Sequence, residues 1–380
     1  MKMNFMRITL LFGLMFTGGM LHAEDKELEH ECTSWMIFSD LTKNNTNILH
    51  KNRDAKYRTV VAMQNYPNAS RKWIGLGNDG SLCMGINVSG LAAIVNSGEK
   101  CVDPSKDDIT KKSTPGILFH VLGKCDTASQ AVKALQELLR QGDYRHGTVS
   151  GSTFLFMDAN EGYVCEMTAK YCSVQRYDRG YTYRANIWRN PGMAQLTQST
   201  LKAFMNSCGR EYSVRTVLNK ALHKNNILTL GDVLEVSRTC NVPEGTPQDR
   251  SVCFAKTNSA SSLVIHREFP GVLSTAYCLI GHPRHTIYIP IPVCAEKIHP
   301  LLTGTACSAA SWKRFDKLGL KADIPSEWLA FEKNMIVRYE KATAEALVLL
   351  RKNKKKEAIA LMNRTASGIW TEAVALMGLK

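Results

Sequence analysis

At 380 residues the chain exceeds what one simple hydrophobic core usually serves, yet no Pro/Gly/Ser-rich linker divides it, so one large domain with an appendage is expected. Its formal net charge of +14 comes from dispersed Lys and Arg with no zinc-finger, RRM or basic-zipper pattern, which favours anionic surfaces or substrates and argues against nucleic acid as a partner. The twelve cysteines form no CxxC pair and no His/Cys cluster of zinc spacing, so neither a metal nor another cofactor is called for.

The chain opens with Lys2 and Arg7 ahead of an apolar run from Ile8 to Leu21, then Leu21-His22-Ala23 and acidic Glu24-Asp25. This reads as a signal peptide over residues 1–23, too short to span a bilayer, where about 20 apolar residues are needed. No later segment is long and apolar enough to span either, so an exported protein, secreted or periplasmic, is expected. Residues 24–31 are a short acidic propeptide with little to bury. Residues 1–31 hold three of the 48 basic and five of the 34 acidic residues, so removing them leaves a formal +16.

Strand-like runs follow at 34–38, 59–64, 72–76, 81–87 and 91–96, separated by turn signals such as Asn78-Asp79-Gly80 and Ser89-Gly90. Helical patterns cover 115–122 and 128–139, strands return at 152–157, 163–168 and 171–177, and amphipathic helices are expected at 197–206, 213–223 and 230–238. Three more strands, at 261–265, 274–280 and 286–290, precede a helical region from Ala309 to the end. Antiparallel strand blocks alternating with helix pairs predict an α+β fold of two stacked sheets between two helical layers. The domain would run over 32–308, with 309–380 as a helical C-terminal extension that packs on it or mediates a homo-oligomer.

Cys32 stands out, because cleavage after Glu31 would make it a new N-terminus. A terminal cysteine offers a thiol nucleophile together with an α-amine of pKa about 7.7–8.0, which can act as a general base near neutral pH. The alternative is a disulfide-bonded cysteine.

Cys32-Thr33-Ser34, Asn52-x-Asp54, the run from Asn87 to Asn96, Arg184-Ala185-Asn186 and Ser213-Val214-Arg215 follow in order along the chain. The succession resembles the N-terminal-nucleophile cysteine hydrolases that include choloylglycine (bile salt) hydrolase, penicillin V acylase and isopenicillin N acyltransferase. Leu273-Ser274-Thr275 followed by Gly281-His282-Pro283 looks more like the acyltransferase branch. The resemblance implies a four-layer αββα sandwich over roughly residues 32–295.

It also implies roles, taken residue by residue. Cys32 would be the nucleophile, after the Glu31–Cys32 bond breaks by attack of the same thiol on the preceding carbonyl. Asp54 would hold the freed amine, and Asn186 would donate to the oxyanion. Asn96 would line the site, although a one-residue gap choice shifts that role to Ser97. Arg215 would be a buried cation facing the nucleophile or its acidic neighbour.

Where relatives often carry Arg three residues before the acid, this chain has Lys51, which supplies charge without the planar fork. In a regular strand Lys51 and Arg53 share one face and Asp54 the other, so joining Lys51 and Asp54 in one site requires a turn or bulge. Arg53 is the reserve cation. Asn87 reads as a turn residue before Ser89-Gly90, and His282 and His285 as structural or surface residues.

The expected activity is hydrolysis of a linear amide C–N bond in an N-acylated amine or amino acid, through a thioester on Cys32. An acyltransferase passing the same acyl group to an amine is the nearest alternative. A dipeptidase and a non-enzymatic exported binding protein are the remaining ones. The segments 96–115 and 240–260, polar and turn-forming, are expected to rim the pocket.

Overall fold

Ten residues that carry no alternation of apolar and polar types, Thr46–Ala55, form the second strand, β2, and every one of them is buried. Its sequence pattern predicts no element, because its Lys, Arg, Asp, His and Asn residues do not look like a core strand. It becomes one because both neighbours pair with it, satisfying its backbone groups on each side. The computed structural model describes residues 30–65, 70–78, 80–103, 111–145, 150–240 and 251–379. The expected signal peptide, nearly all of the expected propeptide and parts of the two expected rim segments lie outside them.

Six strands make the first sheet: β1 (His30–Ile37), β2, β10 (Tyr181–Arg184), β11 (Thr257–His266), β12 (Thr275–Ile280) and β13 (Ile289–Pro292), in spatial order β10-β1-β2-β11-β12-β13. Seven make the second, a meander in chain order: β3 (Val61–Gln64), β4 (Trp73–Asn78), β5 (Ser81–Asn87), β6 (Ala92–Lys100), β7 (Ser150–Met157), β8 (Gly162–Met167) and β9 (Cys172–Tyr177). All of these pairings are antiparallel. β10, four residues long, is too short for its sequence pattern to predict it.

The sheets stack face to face, with Met36 and Leu49 of the first meeting Leu76, Met84, Ile94 and Leu155 of the second in one core. Helices α1 (Thr114–Lys124) and α2 (Ala128–Arg140) cover the outer face of the second sheet, where Ile117, Leu118 and Leu135 bury Trp73, Leu82, Phe154 and Phe156. Helices α3 (Leu201–Asn225) and α4 (Leu230–Val236) cover the outer face of the first, with Val214, Leu218 and Val233 against Trp35, Ile37 and Ile48. The result is a four-layer αββα sandwich, as the sequence analysis expected.

Short helices α5 (Pro270–Leu273) and α6 (Pro300–Thr303) lead to α7 (Ala306–Leu318), α8 (Ser326–Arg351) and α9 (Lys355–Leu376). These C-terminal helices pack on the sandwich: Met335, Tyr339, Met362 and Ile369 join the core between the sheets, and Trp370 Nε1 donates to the Pro290 carbonyl at 2.7 Å. No helix among the described residues is long and apolar enough to cross a membrane.

Two expected helices, 197–206 and 213–223, are one continuous helix, α3. Thr200 caps its start by accepting from the Ala203 N–H, and Asn226 ends it in the left-handed conformation. The merger changes which of its residues face the sheet.

Candidate active site

Alternation along β1 sets the site. Trp35 and Ile37 face α3 and α4 while Met36 faces the second sheet, so Cys32 and Ser34 point between the sheets and Thr33 points toward α3. Along β2, Leu49 faces the second sheet and Ile48 faces α3 and α4, which puts Lys51 and Arg53 inward and His50, Asn52 and Asp54 outward. The pairing of β1 with β2 runs unbroken from His30–Ala55 to Ile37–Ile48. The turn or bulge that would join Lys51 and Asp54 on one face is therefore absent here. Arg53, the reserve cation, is the residue paired with Cys32, and Lys51 is paired with Ser34.

Cys32 is 3% exposed. β10 ends at Arg184 opposite Ser34, so Cys32 lies two residues past the last pair on one strand and Asn186 two past it on the other. The Asn186 side chain completes what the strand leaves undone: its Oδ1 accepts the Cys32 backbone N–H at 3.1 Å. Its Nδ2 donates to the Ser97 carbonyl at 2.8 Å. Cys32 and Asn186 are thus brought together, and through the backbone nitrogen rather than the thiol.

Arg210 of α3, 1% exposed, grips the other side of the same residue. Its Nη1 donates to the Cys32 carbonyl at 2.6 Å and to Thr33 Oγ1 at 3.1 Å, and its Nη2 donates to Asn186 Oδ1 at 2.8 Å. The guanidinium also stands 3.9 Å from carboxylate oxygens of Asp54 and Glu31. This is the buried cation that the sequence reading assigned to Arg215. Arg215 is instead exposed and lies over the Tyr212 ring.

The reason for this correction is helical phase. A helix beginning at Ser213 would put Arg215 in a first turn; in the continuous α3 the buried stripe is Asn206, Ser207, Arg210, Glu211, Ser213, Val214 and Leu218. Arg210 sits three or four residues from Ser207 and Val214, the spacing of one helix face. That spacing was visible in the sequence, but the stripe is too polar to register as amphipathic.

Asp54, 1% exposed, accepts from Thr257 Oγ1 at 2.6 Å through Oδ1, while its buried Oδ2 has no hydrogen-bond partner. Burial pushes its carboxyl up to about 7, against the opposing pull of Arg210 and the Thr257 hydrogen bond. His50, stacked on Trp35 with ring centroids 3.9 Å apart, is driven down to about 3 by burial and stays neutral. It bridges Ser262 and Asn52.

On the inner face Lys51 Nζ donates to the Val95 carbonyl at 2.6 Å and to Asn96 Oδ1 at 2.9 Å. Asn96 Oδ1 also accepts from Ser34 Oγ at 2.8 Å, and its Nδ2 donates to the Arg184 and Ala185 carbonyls. Asn96 therefore ties β6 to the chain on which Asn186 sits, and Lys51 is its charged anchor. Asn87 makes a turn: its Oδ1 accepts from Ser89 and Leu91, and its Nδ2 donates to Leu122 and Cys125 carbonyls.

Two buried carboxylates fix the segment that carries Asn186. Glu211 accepts from the Ala185 N–H at 2.9 Å, and Glu166 accepts from the N–H groups of Arg189 and Asn190 and from Arg184 Nε. Trp188 lies so close to Gly98 and Gly151 that a Cβ on either would come within 2.8 and 2.5 Å of its ring. Glycine at both positions lets the ring lock the segment down. His282 and His285 are buried with Trp312 and Phe315 in an aromatic cluster, so neither is a surface residue.

The family model described as acyl-coenzyme A:6-aminopenicillanic acid acyl-transferase matches residues 41–239, more than half of the chain. The matched span contains Lys51, Asp54, Asn96, Asn186 and Arg210 and begins after Cys32. No curated protein matches the chain. Among solved structures, a variant of conjugated bile acid hydrolase from Clostridium perfringens is similar with a TM-score of 0.46 at 13% identity, covering 69% of this chain and 92% of that one. Penicillin V acylase from Agrobacterium tumefaciens gives 0.43 at 15% identity, with 69% and 86% covered. The Caenorhabditis elegans ortholog of N-acylethanolamine-hydrolyzing acid amidase gives 0.41 at 14%, with 63% and 93% covered.

Proposed function

The chain belongs to the acyl-coenzyme A:6-aminopenicillanic acid acyl-transferase family, and on that premise we propose that it is an exported, self-processing amidase that hydrolyses N-acylated amines or amino acids through a thioester on Cys32. The observation that carries this reading is the convergence of buried side chains on the Cys32 backbone: Asn186 takes its N–H and Arg210 its carbonyl. Any buried main chain needs partners, but these come from side chains that remain in place when the Glu31–Cys32 bond is cut, so the freed amine keeps its position beside its own thiol.

In processing, the Cys32 sulfur attacks the Glu31 carbonyl carbon, the Glu31–Cys32 C–N bond breaks, and the departing nitrogen takes up a proton. Water then cleaves the thioester, releasing the preceding segment as a carboxylic acid and restoring the thiol. The new α-amine keeps Asn186 Oδ1 as one acceptor. The unpartnered Asp54 Oδ2 supports a second, since an arriving ammonium draws that carboxyl into its ionised form.

In turnover the amine takes the thiol proton as sulfur attacks the substrate carbonyl, then hands it to the leaving nitrogen. Asn186 Nδ2 carries two hydrogens, of which Ser97 takes one, leaving the other for the oxyanion. Water resolves the thioester. The family's description favours a second reading, in which an amine acceptor takes the acyl group in place of water. The apolar run over residues 8–21 supports export.

Intact mass and N-terminal sequence of the protein expressed from its full gene in a bacterium, beside Cys32→Ala, test the processing. Wild type should begin at Cys32 and the variant at Glu24. If both begin at Glu24, the terminal-nucleophile mechanism is wrong; if the variant keeps Met1, export is. Product analysis with and without added amine then separates hydrolysis from transfer.

A further inference from the structure

Behind Asp54, on the side away from Cys32, the entry to β11 rests against the end of the segment that follows α4. The Cys253 N–H donates to the Thr239 carbonyl at 2.9 Å, and Ser251 Oγ donates to the same carbonyl at 2.6 Å. This brings Cys240, the residue after Thr239, and Cys253 side by side, close enough for each thiol to act on the other's ionisation. Cys253 is fully buried, with His282 Nε2 3.9 Å from its sulfur, whereas Cys240 is only partly buried and has the Arg284 guanidinium beside it.

From this juxtaposition we infer that Cys240 and Cys253 form a disulfide by exchange with a small disulfide oxidant, and that this bond fixes the turn presenting Thr257 to Asp54. The accessible Cys240 reacts first: its thiolate attacks the oxidant's S–S bond, forming a mixed disulfide and expelling one thiolate. Cys253 then loses its proton and attacks the Cys240 sulfur, expelling the second. Two protein thiols are oxidised to one disulfide while one oxidant disulfide is reduced to two thiols.

The charge arrangement suits this order. The neighbouring Cys253 and Arg284 lower the Cys240 thiol pKa, while burial raises that of Cys253 well above its usual range. The consequence follows along the chain: Phe254 N donates to Thr257 Oγ1 at 3.0 Å, Thr257 N donates to the Phe254 carbonyl at 2.9 Å, and Thr257 Oγ1 donates to Asp54 at 2.6 Å. A covalent anchor at Cys253 therefore stiffens the turn that sets one of Asp54's two oxygens.

The test uses the full-length protein equilibrated with reduced and oxidised glutathione, followed by alkylation after denaturation and peptide mass mapping. Cys240 and Cys253 should lose alkylation together and appear as one cross-linked species 2 Da lighter than the two thiols. In Cys253→Ser, Cys240 should carry glutathione instead. Amide hydrogen exchange over residues 253–259 should slow at least several-fold on oxidation. Pairing of either cysteine with another, stable glutathione on both, or alkylation of both at every ratio overturns the disulfide. Cross-linking with unchanged exchange overturns its link to Asp54. None of these readouts depends on amidase activity, so they stand or fall separately from the proposed reaction.

Discussion

Arg210 donates to the backbone carbonyl of Cys32 at 2.6 Å, across 178 positions of sequence, and in doing so ties the third helix to the first strand. Its second nitrogen reaches Asn186, which in turn holds the Cys32 N–H. One planar guanidinium thus fixes both sides of the candidate nucleophile's main chain.

That geometry needs the fork. Arg210→Lys supplies one point charge and cannot serve the Cys32 carbonyl and Asn186 together, so kcat on an N-acyl amide should fall about 10- to 100-fold, the worth of about 1.5–3 kcal/mol for hydrogen bonds to a charged group. Arg215→Ala, on the exposed side of the same helix, should stay within about twofold of wild type, since surface changes away from buried partners cost little. Steady-state kinetics of the two variants side by side decide it; equal losses would restore Arg215 to the site.

Asn186 has separable duties. Asn186→Asp still accepts from the Cys32 N–H and Arg210 but loses its bond to the Ser97 carbonyl and its free donor, so stability should fall by about 1–3 kcal/mol while kcat drops about 10²–10³-fold. Denaturant unfolding and turnover of the same preparation give both numbers. Full activity in this variant would remove Asn186 from the oxyanion role.

Asp54 sets a pH dependence with a definite sign. Its carboxyl, ordinarily at 3.8, is raised to about 7 in the fold, so between those values the folded state binds the proton that the unfolded chain has released. Stability from this group is therefore greatest below about pH 4 and is lost as pH rises to about 7, by about 4 kcal/mol in all. In unprocessed Cys32→Ala, adding Asp54→Asn should remove that slope. The difference in unfolding free energy between the two proteins isolates it, because buried His50 and His282, whose contributions run the opposite way with pH, cancel.

The two inward cations should behave differently. Arg53 is the strand partner of Cys32, so Arg53→Gln should lower kcat on an N-acyl amide with little loss of stability. Lys51 serves Val95 and Asn96, so Lys51→Met should lower stability by about 1–3 kcal/mol with a smaller loss of kcat. A larger loss of kcat in Lys51→Met than in Arg53→Gln would falsify this division.

Short-range signals in the chain carry part of this architecture. Turn residues and alternation mark the meander from β3 to β9 almost strand for strand, because each hairpin is set by residues a few positions apart. The ordered motifs around Cys32, Asp54, Asn96 and Asn186 are likewise readable, since a motif is a matter of residue type and order and does not depend on the element its segment becomes. The rest depends on contacts between segments far apart in sequence. β2 is a strand because β1 and β11 pair with it on both sides, and no local preference of a run such as His50-Lys51-Asn52-Arg53-Asp54 could supply that. Arg53 stands beside the nucleophile and Lys51 does not because the register of β1 on β2 is unbroken. Arg210 faces the site and Arg215 the solvent because α3 runs on through Gly209, so the first sheet, packed against one face of it, selects which of two arginines is buried.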